Sequence, residues 1–146
     1  MNNIHYNRKA RFNYTVEDNY GAGIVLTGNE VKSIRDGKLN FNDSYCLFIN
    51  NELWVRGLYI SENKFGLKQD PNRDRKLLLK KKELSKIQLT VKEKGYTIFP
   101  LSVFFNDKNI LKMNIGVGKG KKEYDKRETI KKRETEREVR KLIPSI

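Results

Sequence analysis

Little in this 146-residue sequence can carry covalent chemistry. It has one histidine, His5, and one cysteine, Cys46. A lone cysteine forms no internal disulfide and suits a reducing compartment. One histidine and one cysteine do not assemble a His/Cys zinc site. Cys46 has no histidine near it and reads as strand packing, while His5 lies in a polar N-terminal stretch. Acids are plentiful, yet none forms a convincing catalytic pair. No apolar run approaches the ~18 residues of a membrane span, and residues 1–11 have no apolar core for a signal peptide. These absences predict a cytoplasmic, soluble protein that is not an enzyme, needs no cofactor or metal, and has no membrane partner.

Positive charge is abundant. Lys and Arg number 31 against 18 acids, a formal charge of +13 with a pI near 9.8. The excess sits in three blocks, residues 1–11, 68–86 and 119–146, which flank two nearly neutral stretches. Such a distribution describes a folded body with basic patches, and it calls for a polyanionic partner. Two clusters stand out. Arg8, Lys9 and Arg11 are interleaved with the aromatics Tyr6, Phe12 and Tyr14. Arg73, Arg75, Lys76, Lys80, Lys81 and Lys82 crowd one segment around Leu78. Cations anchor phosphates, and exposed aromatic or Leu side chains stack on unpaired bases.

Periodicity suggests a mainly β fold. Residues 12–16 alternate apolar and polar and read as a half-buried strand. A turn is expected around Asp18, Asn19 and Gly21, with a second strand at 22–26. Thr27 and Glu30 have capping-box spacing, so a short helix starts there, buries Val31, Ile34 and Leu39, and stops at Gly37. Strands are expected at 45–49 and 53–60 around Asn50-Asn51, and a helix at 81–94 ending on Gly95. A strand at 96–105 contains Pro100 and so lies at an edge or holds a bulge. After a turn at 106–109 comes a return strand at 110–117. Several short strands, two helices and no βαβ alternation predict a small barrel of the oligonucleotide-binding type.

Beyond the barrel, Gly116, Gly118 and Gly120 alternate with cationic residues following; they lack phosphate-loop order and read as a flexible exit. The chain therefore divides into a 1–118 barrel and a basic C-terminal tail, 119–146. In that tail Glu123 and Arg127, Glu128 and Lys132, and Glu136 and Arg140 favour a helix. Its apolar face is thin, so the tail is expected to be disordered alone and helical when bound to a polyanion.

Several separated motifs, in order, resemble the SsrA-binding protein family. They are Asn7-Arg8-Lys9-Ala10-Arg11, Ala22-Gly23-Ile24, Gly28-Asn29-Glu30-Val31-Lys32-Ser33 and Asp43-Ser44-Tyr45. Then come Asp70-Pro71, Arg73, Arg75-Lys76-Leu77-Leu78-Leu79, Gly116-Val117 and Lys119-Gly120-Lys121-Lys122. Asp125-Lys126-Arg127 and Ile130-Lys131 close the series. The resemblance implies a protein that binds the tRNA-like domain of transfer-messenger RNA and delivers it to stalled 70S ribosomes in trans-translation, with elongation factor Tu reached through the charged RNA. It ties Asn7 and Leu78 to RNA binding, and together with the basic clusters and the shared motifs the expected RNA-binding set is Asn7, Arg8, Lys9, Arg11, Glu30, Lys32, Arg73, Arg75, Lys76, Leu78 and Lys80. It implies a tail, through Lys119, Lys121, Lys122, Tyr124, Asp125, Lys126, Arg127, Lys131, Leu142 and Ile143, that occupies the vacant mRNA channel and the 16S rRNA decoding centre. The protein is then monomeric in its complex. One departure is Gly21, where many relatives carry a Glu linked to RNA binding. From the residues alone, a general basic nucleic-acid-binding module of the same fold is the alternative.

Overall fold

The computed structural model describes residues 4–62 and 70–121. In chain order the elements are β1 (Ile4–Tyr6), α1 (Arg8–Asn13), β2 (Tyr14–Ile24), α2 (Gly28–Arg35), β3 (Leu39–Asn40), β4 (Tyr45–Ile49), β5 (Glu52–Arg56), β6 (Tyr59–Ile60), β7 (Arg75–Leu78), α3 (Lys81–Lys94), β8 (Thr97–Phe105) and β9 (Leu111–Gly120). Six strands close on themselves in the order β8-β4-β5-β7-β2-β9, with β9 pairing back to β8. All these pairings are antiparallel. The short β1 adds to the far end of β8, matching Ile4 to Phe104 and Tyr6 to Ser102. Closure removes the unpaired edges that an open sheet of this composition would expose. The expected mainly β barrel with short embedded helices is the observed fold.

The interior is built by alternation. Leu53 and Val55 of β5, Leu77 of β7, Ile98 and Val103 of β8, and Met113, Ile115 and Val117 of β9 all point inward and are buried. Ile34 of α2 and Ile87 of α3 join the same cluster. Each fully buried aliphatic side chain contributes roughly 1.5–3 kcal/mol, so these rows supply much of the stabilisation. Asn50 and Asn51 both have positive φ, 51° and 64°. They form the two-residue hairpin expected between β4 and β5. The Thr27–Glu30 capping box is complete, and Gly95 ends α3 at φ 65°. Pro100 is followed by a register shift between Pro100 and Ser102, the expected bulge.

Four local expectations are corrected. Phe12 and Asn13 belong to α1, because Asn7 caps a helix that alternation alone does not reveal. Asp18, Asn19 and Gly21 form no turn: β2 runs unbroken through them, paired to β9, with only a bulge between Val16 and Asp18. A continuous ladder outweighs local turn preference. The expected 53–60 strand breaks at Gly57, whose φ is 84°, and Tyr59–Ile60 pairs instead with β3, which contains Leu39. Gly116–Gly120 is no flexible exit. It is the second half of β9, paired to β2 along its whole length. A methyl group on Gly118 would overlap the carbonyl of Thr15, so glycine there permits close approach of the two strands.

Candidate nucleic-acid interface

The first basic cluster is mounted on α1. Asn7 is buried, at 5% exposure. Its Nδ2 donates to the Pro100 carbonyl at 2.7 Å, its Oδ1 accepts from the Ala10 N–H at 3.4 Å, and its own N–H donates to the Leu101 carbonyl at 2.8 Å. Asn7 therefore ties the start of the helix to the β8 bulge. Tyr14 stacks on Phe99, with centroids 4.2 Å apart, and fixes the other end of α1. Arg8, Lys9 and Arg11 project from this anchored turn and are exposed. The Arg11 guanidinium lies 5.9 Å from the centre of the Tyr6 ring. Lys9 approaches Asp43 at 3.9 Å, but both are so exposed that the pair contributes little.

The second cluster divides into an inner and an outer set. Inside, Glu30 of α2 receives two arginines. Arg73 binds both carboxylate oxygens, through Nε at 3.2 Å and through Nη2. Arg75 donates from Nε to Glu30 Oε2 at 2.8 Å and brings Nη2 to 2.7 Å from the same oxygen. Arg75 also donates to the carbonyls of Leu58 at 2.6 Å, Arg73 at 3.0 Å and Pro71 at 2.9 Å. Its side chain is wholly buried, and these contacts occupy the full guanidinium fork. Burial pushes the Glu30 carboxyl up. The Arg73 hydrogen bond, the Thr27 amide and Arg75 together outweigh that, and the net pKa lies below the ordinary value. Glu30 and Arg75 are thus internal supports, out of reach of a phosphate in this arrangement.

The outer set sits on the same elements. Lys76 pairs with Glu52, and Lys80 is exposed at the start of α3, where its N–H donates to Glu83 Oε1 at 3.2 Å. Leu78 is 52% exposed, and its neighbour across the ladder is Gly23, which leaves the Leu uncovered. Lys32 is exposed on α2. α1 packs against β8 and the start of β2, whereas the Leu78 surface adjoins the far end of β2. β2 links them, beginning at α1 and reaching Leu78 at Gly23.

Lys119 is exposed on β9 opposite Thr15, and the Lys121 N–H donates to the Asn13 carbonyl at 2.7 Å. Lys122, Tyr124, Asp125, Lys126, Arg127, Lys131, Leu142 and Ile143 lie outside the described residues. Cys46 is buried in β4, and burial pushes its thiol pKa far up. Among the described residues no group of three His, Cys, Asp or Glu is placed to hold a metal, and no helix is long and apolar enough to cross a membrane. Sequence reasoning missed the burial of Arg75. The signal was there: Arg75 shares its strand face with Leu77 in the period-two pattern.

Comparison with known proteins agrees with this geometry. The family model described as SmpB protein matches residues 4–145. An SsrA-binding protein of Anaplasma phagocytophilum is 51% identical over 140 residues, covering 94% of each chain. That of Wolbachia pipientis wMel is 47% identical over 144 residues and covers 97% of each. The SsrA-binding protein of Bacteroides thetaiotaomicron is 46% identical over 139 residues, covering 94% of this chain and 93% of the relative. A solved structure described as "tmRNA-SmpB: a journey to the center of the bacterial ribosome" superposes with a TM-score of 0.69 at 40% identity, covering 87% of this chain and 94% of that one. A capped, barrel-mounted basic surface, with such likeness over nearly the whole length, makes this chain a member of the SmpB family of SsrA-binding proteins.

Proposed function

We propose that this protein binds the tRNA-like domain of transfer-messenger RNA and delivers it to stalled ribosomes for trans-translation. The observation that carries the reading is the exposed Leu78 beside Lys80 on a rigid, closed barrel, in a chain 40% identical to one in a tmRNA-SmpB structure. In this reading the barrel holds the RNA and the tail meets the 16S rRNA decoding centre and the vacant mRNA channel, with the boundary expected at 118/119 moved to the end of β9, since Lys119 and Gly120 belong to that strand. The protein works as a monomer in the cytoplasm, reaches elongation factor Tu through the charged RNA, and performs no catalytic step itself. Asn7, Glu30 and Arg75 serve the RNA surface indirectly, by fixing the elements that carry Arg8, Lys9, Arg11, Arg73, Lys76 and Leu78.

Truncation tests this division of labour. A chain ending at residue 121, the last described one, should retain transfer-messenger RNA affinity and lose peptide tagging on stalled ribosomes. Full tagging by the truncated chain would sink the assignment. Lys126→Ala with Arg127→Ala should leave RNA affinity within about twofold, since in this reading the RNA interface is centred on the barrel, while tagging falls. A general nucleic-acid module would instead bind bulk tRNA as tightly as transfer-messenger RNA, which a competition assay measures.

A further inference from the structure

The corner between β1, α1 and the segment after β3 encloses an open cleft of about 490 Å³. Its lining includes His5, Tyr6, Arg8, Lys9, Asn40 and Asn42. A second, much smaller cleft of about 30 Å³ adjoins it, sharing Asn7, Lys9 and Asn42 and reaching Ser44. Three properties of this corner point to a ligand. The larger cleft has two cations and no carboxylate in its lining, and the nearest acid, Asp43, lines the smaller cleft 3.9 Å from Lys9. Tyr6 offers a ring that is 58% exposed, backed by the Arg11 guanidinium. Finally, the Asn40 and Asn42 side-chain amides line the same cleft. A ring, two cations and two amides on one open cleft suit a polar, anionic guest with a flat face.

We infer that this corner takes one unpaired nucleotide of RNA, its base against Tyr6 and its phosphate on Arg8 and Lys9. This inference rests on the RNA-binding reading above and adds a site to it. The volume falls within the ~300–1,000 Å³ of small-molecule pockets. A flat face, an anion and a hydrogen-bonding edge in one ligand match the ring, the two cations and the Asn40 and Asn42 amides. A base stacked in a duplex has no free face for Tyr6, so the guest is a splayed-out base. An acidic peptide would satisfy the cations but leave the ring unused. The site is separate from the Leu78 surface, which adjoins the end of β2 remote from α1.

The test uses the full chain with fluorescein-labelled hexanucleotides of adenine and of uracil, followed by anisotropy, and unlabelled hexaglutamate as competitor. Tyr6→Ala should weaken hexanucleotide binding about tenfold, since stacking on an aromatic ring contributes of that order per base. Tyr6→Phe should stay within twofold of wild type. A hexanucleotide carrying 4-thiouracil should photocross-link within residues 4–9 or 39–42. Tyr6 is exposed enough that truncating it leaves the fold intact. Unchanged affinity in Tyr6→Ala, cross-links only elsewhere, or hexaglutamate competing as well as hexanucleotide would each overturn the inference. Failure to capture transfer-messenger RNA from cells, with Tyr6-dependent hexanucleotide binding intact, would sink the functional reading and leave this site standing.

Discussion

Replacing Glu30 by Gln removes one negative charge from the centre of the Glu30–Arg73–Arg75 network and changes little else in shape. Arg75 is then a cation with no solvent access that has lost its hydrogen-bonded counter-ion; Arg73 is a third exposed and recovers water. Breaking one partner of a buried ion pair costs roughly 3–5 kcal/mol, a large share of a total near 5–15 kcal/mol. Most of that cost belongs to Arg75, because solvent screens the Arg73 contact. At ~3–5 °C per kcal/mol for a body of this size, the melting temperature should fall by roughly 10–20 °C. The carboxyl's pKa is held below its ordinary 4.5 in the folded state. Its contribution is therefore complete above that value and is lost as pH falls through the lower, folded one. The gap between wild type and Glu30→Gln should be full at neutral pH and close under strong acid. Thermal unfolding by circular dichroism across this range reads both effects. A neutral-pH melting point within about 3 °C of wild type refutes the argument that the network anchors α2 to the β7 side. Well below its own melting point the variant should still bind RNA within a few-fold of wild type, because Glu30 is an internal support.

Gly118→Ala should be among the most damaging single methyl additions, since its Cβ meets the Thr15 backbone, which has no flexible end to yield. A loss above about 3 kcal/mol in denaturant titration is expected. Leu78→Ala should cost under about 1 kcal/mol of stability because the side chain is half exposed, yet weaken transfer-messenger RNA binding about tenfold in a filter or anisotropy assay. Gly21 has nothing within 4 Å of an added Cβ. Gly21→Glu should leave the melting point within about 2 °C and tighten RNA binding several-fold, restoring the family's residue; unchanged affinity would show that this interface does not use the position.

Local signals with a complete physical cause were legible in the sequence. The Thr27–Glu30 box, the Asn50-Asn51 hairpin and the Gly95 stop each depend on residues within a few positions of one another, and each is where spacing put it. α1 was hidden because it is only six residues long and, although Asn7 caps it locally at Ala10, the capping residue is held in place by Pro100, 93 residues away. β2 was split on paper because Asp18, Asn19 and Gly21 favour turns, and only the distant β9 ladder holds them extended. The basic clusters were found as composition, but composition does not separate Arg75, buried beneath the surface, from Lys80 upon it. The corner under Tyr6 is assembled from residues 4–9 and 39–42, and no pattern along the chain announces it.

β9 is held on both sides, by β2 from Lys112 to Gly120 and by β8 from Leu111 to Gly118. The chain leaves this doubly gripped strand at Lys121, whose N–H donates to the Asn13 carbonyl. A pull along the strand axis from that end loads two ladders of hydrogen bonds in shear together. A strand at an open edge would instead unzip one bond at a time. The barrel is thus a strong mooring: tension exerted on the C-terminal segment by a large partner would move the whole body before it stripped the last strand from the sheet.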